Sequence, residues 1–236
     1  MRYSLSVILL ITVLSYSSCK KADDTHATRL VKAMKIDSNA CLISCIYDEQ
    51  NRIVSATQCD TIETFIYSND SVIYARWNAG LITYKYIYKL NIAGIAVSYT
   101  RVAADGSLSY FTLNYDAAWH KTEWRDHTHD STYRTYTIVD GNVVNEFSKS
   151  TVASQGNYTI NTIYYTNTEN TLGNDNFGRH FLGESSTNLR KAEAYDTPDG
   201  QFTINYNYEL DFQNGIHKRI TTINGTVSET RYYEYY

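Results

Sequence analysis

Gln201 to Leu210 alternates without a break, with Phe202, Ile204, Tyr206, Tyr208 and Leu210 on one face and Gln201, Thr203, Asn205, Asn207 and Glu209 on the other. Period two over such a run is a β-strand with one dry and one wet side. Leu81 to Leu90 repeats the pattern, with Ile82, Tyr84, Tyr86, Tyr88 and Leu90 aligned, and Ser107 to Tyr115 brings Phe111, Leu113 and Tyr115 together. Turn clusters separate these runs: Ser68-Asn69-Asp70, Asn78-Ala79-Gly80, Asp105-Gly106, Asp140-Gly141-Asn142, Gln155-Gly156-Asn157, Asp199-Gly200, Asn214-Gly215 and Asn224-Gly225. Asn-Gly and Asp-Gly tolerate the positive φ angles of tight hairpins, so consecutive strands should be antiparallel neighbours. No segment keeps a 3.6-residue period for three turns. The long irregular stretch is Thr168 to Arg190, rich in Gly and Asn.

A meander of this length exposes two edges unless it closes or curls, so the expected fold is all-β, a single up-and-down barrel of roughly 12–15 strands. No linker divides it, and residues 41–236 read as one domain. Tyrosine, present 23 times, suits such a wall, because its ring covers apolar area while its hydroxyl stays wet. A single proline, Pro198, and 11 glycines exclude collagen-like and proline-rich chains. With 21 basic and 25 acidic residues the net charge is −4, which offers no basic field for nucleic acid.

The N-terminus reads as an address. Arg2 precedes the apolar run Leu5 to Leu14, and small polar residues lead to Cys19. That run spans about 15 Å as a helix, roughly half a bilayer core, which suits a signal peptide over residues 1–18 and not a membrane span. Cys19 after Ser17-Ser18 resembles the lipobox of bacterial lipoproteins, with Tyr16 where an aliphatic residue is usual. The resemblance implies acylation of Cys19 and membrane attachment through lipid, with residues 19–40 as tether. Lys20-Lys21-Ala22-Asp23-Asp24 is similar to the surface-export signal of Bacteroidetes lipoproteins, which favours the cell surface over the periplasmic face.

Ile46-Tyr47-Asp48-Glu49-Gln50-Asn51-Arg52-Ile53-Val54 resembles the hairpin of tyrosine-aspartate repeat proteins, with Asn51 at the usual glycine position. Phe181-Leu182-Gly183-Glu184-Ser185-Ser186-Thr187-Asn188-Leu189 precedes a Tyr-x-x-x-Asp-Gly strand, a long hairpin and a Tyr-rich last strand. That order resembles the DUF4595 family of Bacteroidetes lipoproteins over residues 41–236, and implies a porin-like antiparallel β fold with no catalytic residues.

Three further cysteines remain. If Tyr47 lies opposite Ile53, paired positions place Cys41 across from Cys59, and a Cys41–Cys59 disulfide is expected in an exported protein, leaving Cys45 free. A Cys45–Cys59 pair would need a register shift of four, and three reduced thiols are the further alternative. His127 and His129 share a face if Trp124 to Asp130 is extended, and His120 or Glu123 could complete a metal site; a hydrophilic hairpin tip is the plainer reading, so no metal and no cofactor is expected. His180 and His217 stand alone, and His26 lies in the tether. No serine sits in a Gly-x-Ser-x-Gly turn and no phosphate-cradling glycine loop occurs, so the chain does not read as an enzyme. Trp77, Trp119 and Trp124 could stack on sugar rings, although cross-strand packing of aromatics is the commoner use. The expectation is a lipid-anchored envelope protein whose β scaffold binds a glycan, peptide or partner protein. An integral outer-membrane barrel is the alternative, opposed by Lys85 and Lys89 sharing a face with Ile87.

Overall fold

The computed structural model describes residues 29–37, 42–129, 132–150 and 156–236. The segment 1–18 expected to be a signal peptide, with Cys19, His26, Cys41 and Gln155, lies outside the described residues. Sixteen strands follow one another in chain order: β1 (Val31–Ile36), β2 (Leu42–Tyr47), β3 (Ile53–Gln58), β4 (Thr61–Tyr67), β5 (Ser71–Asn78), β6 (Leu81–Leu90), β7 (Ala96–Ala103), β8 (Leu108–Tyr115), β9 (Lys121–Asp126), β10 (Thr132–Val139), β11 (Asn142–Lys149), β12 (Tyr158–Glu169), β13 (Asn188–Thr197), β14 (Gly200–Leu210), β15 (Ile216–Ile223) and β16 (Thr226–Tyr235). Each pairs antiparallel with its neighbours, and β1 pairs with β16 to close the barrel, which removes both free edges.

The strand count is one above the expected range, and the additional strand comes from the segment read as tether. Val31–Ile36 carries Lys32 and Lys35 on its outer side, which gives it a polar look in sequence, yet Val31 is fully buried and the strand supplies the seam. Among the described residues the only other regular structure is two short 3-10 turns, Asp175–Phe177 and His180–Leu182, inside the stretch read as irregular.

The expected hairpin forms, with one change of register. Tyr47 faces Ile53, but the next pair is Ile46 with Ser55, so Val54 is an extra residue that shifts the rest of the ladder by one. Cys45 consequently faces Ala56, and the sum rule that placed Cys41 directly across from Cys59 does not extend past the bulge. Cys59 is disulfide-bonded and Cys45 is a buried free thiol; the proposed partner, Cys41, is outside the described residues.

The hairpin recognised at Asp48 is one of four built alike at the same mouth of the barrel. Oδ1 of Asp48, Asn91, Asp116 and Asp211 each accepts two backbone amides, from the residues two and four further on. In each, the residue three further on adopts positive φ: Asn51, Gly94, Trp119 and Asn214. This turn needs a short side-chain acceptor at its first position, which is why Asp or Asn recurs there. The opposite mouth uses tight turns such as Ala79-Gly80 and Asn224-Gly225, both residues at positive φ.

Candidate functional site

Alternation decides which side chains face the lumen. On β6, Tyr84, Tyr86 and Tyr88 point inward while Lys85, Ile87 and Lys89 point outward; Ile82, aligned with the tyrosines in sequence, is exposed at the far mouth. On β14 the inward set includes Tyr206 and Tyr208, and Asn207 and Glu209 face out. The tyrosine faces therefore converge on one interior.

There they form a belt. Phe65 contacts Tyr74 at 5.0 Å between ring centroids, Tyr74 stacks on Tyr86 at 5.6 Å, and Tyr86 meets Tyr99 edge-on at 5.4 Å. Tyr99 stacks on Phe111 at 4.5 Å, and Phe111 on Trp124 at 5.2 Å. The indole Nε1 of Trp124 donates to the Tyr99 hydroxyl at 2.8 Å. Arg134 continues the belt by lying over both Trp124 and Tyr158. Such ring pairs contribute about 0.5–1.5 kcal/mol each beyond area burial.

One mouth is covered by the segment between β12 and β13. Phe181, only 5% exposed, packs inside against Tyr67 and Tyr88. This strap is tied to the turns around it: Ile53 N donates to Gly178 O at 3.1 Å, Glu184 N to Trp119 O at 2.9 Å, and Thr187 N to Gly141 O at 3.0 Å. Asn176 Nδ2 donates to Arg29 O ahead of β1. Gly178 and Gly183, both at positive φ, permit these approaches. A β-carbon at Gly178 would lie 2.6 Å from Asn51 O, and one at Gly183 2.5 Å from Trp119 O.

Beneath the strap the lumen holds two cavities. The smaller, about 420 Å³, lies among Cys45, Glu63, Phe65, Arg179, Phe181 and Arg231. The larger, about 750 Å³, is lined by Tyr86, Tyr99, Tyr115, Lys121, Trp124, Arg134, Glu146, Arg190 and Arg219, with Ser185 and Ser186 of the strap. Aromatic walls with a few converging polar groups are the usual make-up of a small-molecule site in a barrel.

The lumen charges are mostly paired. Arg190 contacts Glu193 at 2.8 Å, Arg219 contacts Glu229 at 3.2 Å, and Arg231 bonds the same carboxylate. Arg179 faces Glu63 at 3.6 Å and Arg134 faces Glu146 at 3.7 Å. Lys121 has no ion-pair partner among the described residues; its ammonium lies 4.9 Å from the centre of the Tyr136 ring. Burial lowers the Lys121 pKa, opposed by the field of Glu146 and reinforced by that of Arg134. Tyr115 lies directly across from Lys121 in the β8–β9 ladder, and its buried hydroxyl has no hydrogen-bond partner among the described residues. Burial likewise pushes the tyrosine hydroxyls upward, Tyr67 and Tyr99 to about 12.

The residues singled out in the sequence do not assemble into one site. Trp124 lines the lumen, but Trp77 is on the outer wall, bonded to Thr64, and Trp119 sits at positive φ in a turn beside Tyr115. His127 bonds Thr112 and His129 bonds Asp126 at the far mouth, whereas His120 bonds Asp116 at the strapped mouth. Strand β9 separates them by about 20 Å, so His120 cannot complete a site with His127 and His129. Glu123 faces outward and bonds Arg125. No group of three His, Cys, Asp or Glu among the described residues is placed to hold a metal. Alternation aligns Tyr115 with Phe111 and Leu113 but does not show that its hydroxyl is unsatisfied, and nothing in the neighbours of Lys121 marks it as inward.

No protein-family profile matches the chain, and no curated protein does either. Among solved structures it is similar to a porin-like protein from Bacteroides uniformis, with a TM-score of 0.65 and 14% identity over 87% of this chain and 96% of that one. A porin-like protein from Bacteroides vulgatus gives a TM-score of 0.60 and 13% identity, covering 88% and 99% of the two chains. At these identities the likeness is one of fold: a porin-like β-barrel.

Proposed function

We propose that this chain is a lipid-anchored protein of the cell envelope, held to the outer membrane by Cys19, whose barrel is a non-catalytic scaffold that binds a glycan, peptide or partner segment in its lumen. The observation that carries the reading is the outer wall. Lys85, Lys89, Glu123, Arg125, Lys149, Glu209 and Lys218 face out along the strands, and β13 and β14 add Asp196, Gln201, Thr203, Asn205 and Asn207. A lysine or arginine facing lipid costs about 2–4 kcal/mol at the bilayer midplane, so a wall with this set disfavours immersion. Attachment then falls to the lipid, and the wall stays wet.

A second reading, an integral outer-membrane barrel, draws on Leu42, Ile46, Ile62, Ile66 and Ile87, which face out on β2, β4 and β6. Leu108 and Tyr110 on β8 and Ile163 on β12 add exposed apolar positions elsewhere, but the outward charges between them interrupt the continuous apolar band that a spanning barrel needs around its girth. The anchoring part of the proposal is tested by metabolic labelling with a palmitate analogue. The wild type should be marked and Cys19→Ser should not; unchanged labelling of Cys19→Ser would reject it.

A further inference from the structure

We propose that Lys121 and the Tyr115 hydroxyl form an anion subsite in the larger lumen cavity, which receives the carboxylate of a ring-bearing organic acid. The inference rests on the lumen being the binding site and adds the class of ligand. Every arginine lining the two cavities has a carboxylate beside it, and among the described residues Lys121 has no ion-pair partner. The Lys121 ammonium rests on the Tyr136 ring at the cavity wall, and a ligand carboxylate would complete the pair. Glu146, the carboxylate whose field reaches Lys121, is already taken up by Arg134 and by the Tyr158 hydroxyl at 3.0 Å. Tyr115, the cross-strand neighbour, presents an unsatisfied hydroxyl, and Arg219 across the lumen has a buried Nε without a partner among the described residues. Lys121 and Tyr115, paired across the β8–β9 ladder, therefore bring two donors to one wall of this cavity, where a carboxylate can be met by charge and hydrogen bond together.

The ring follows from the neighbouring wall. Thr122 is an extra residue in β9 that brings Lys121 to the same face as Trp124. The partner strand covers this step with two residues, Leu113 to Tyr115, about 7 Å by strand rise, and the Trp124 indole stacks into the belt with Phe111 and Tyr99. That span accommodates a single ring set against the inward edge of Trp124, whose indole is already packed by Phe111 and Arg134, with its acidic substituent toward Lys121. Acidic sugars and aromatic carboxylic acids both present this chemistry.

Calorimetric titration of the folded protein with galacturonate and with benzoate, each beside its neutral counterpart (galactose, benzyl alcohol), tests the assignment and separates the two sources. At least one acid should bind with a change in Trp124 emission, read in a Trp77→Phe/Trp119→Phe background, and its neutral counterpart about tenfold or more weakly. Lys121→Met should weaken the acid about ten- to a hundredfold while raising the ligand-free melting temperature, because a charge-assisted contact is lost and an unpaired charge is removed. A purely structural lysine would lower that temperature on substitution. Equal binding of acid and neutral partner, or full affinity in Lys121→Met, would overturn the anion subsite and leave the lumen as a binding site. Binding without any response of Trp124, and unaffected by Trp124→Ala, would overturn the lumen reading itself. Failure of both acids to bind would overturn the subsite.

Discussion

Titrated with base, the folded protein should collapse in a steep cooperative transition beginning near pH 10. Burial raises the hydroxyl pKa of fourteen tyrosines, among them Tyr67, Tyr99, Tyr195 and Tyr235, each to about 12. A raised folded-state pKa means that the folded chain holds its proton where the unfolded chain has released it. The associated stability is complete below the unfolded value of about 10 and is lost as pH climbs toward the folded value. Each unit of displacement corresponds to about 1.4 kcal/mol, so Tyr99 and Tyr235, the better buried of those four, represent on the order of 5 kcal/mol, a large part of the stability of a typical domain, while solvent screens the contributions of Tyr67 and Tyr195. Tyrosinate absorbance and far-UV circular dichroism should therefore change together. Gradual ionisation with the β signal intact well above pH 11 would show that the rings are wetter than the belt implies.

Gly183→Val should dislodge the strap. The residue sits at φ +78°, ψ −172°, a conformation that excludes side chains, and a β-carbon would meet Trp119 O at 2.5 Å. Backbone strain of about 1–3 kcal/mol adds to a clash that neither backbone can relieve without separating, for a total of about 3–5 kcal/mol. For a domain of this size that lowers the melting temperature by about 10 °C or more. Gly80→Ala is the control: its φ is +79° but nothing lies within 4 Å, so only the strain applies and the loss should be about 1 kcal/mol. Limited proteolysis should cut the Gly183→Val strap first. Equal losses for the two variants would mean that the strap is not seated against Trp119.

The fold was largely legible because antiparallel strands are specified locally. Period two on Gln201–Leu210 and positive-φ residues at Ala79-Gly80 and Asn224-Gly225 need no distant information, and the turn at Asp48 carries its own acceptor. Three features were not legible. The closing strand β1 looked like tether because its partners, β16 and β2, are fixed by closure and not by local pattern. The bulge at Val54 moved Cys45 opposite Ala56, since one extra residue leaves no compositional mark. The functional side chains hid for the same reason. Lys121 reads as one more charge beside Thr122 and Glu123, and only the barrel's interior shows that the arginines around it have carboxylate partners while, among the described residues, it has none. The histidines mislead in the opposite sense: close in sequence, they are carried to opposite mouths by the rise of β9.

The central claim is that the wall of this barrel faces water and the lumen does the binding. The most direct measurement is sedimentation of a chain beginning at Lys20, which lacks both signal and lipid, in buffer without detergent. The outward Lys85, Lys89, Glu209 and Lys218 predict a folded monomer that does not float with liposomes. A chain that aggregates until detergent is added, or that partitions into liposomes with its strands protected, would contradict the claim and place the exposed Ile46, Ile62 and Ile66 in lipid.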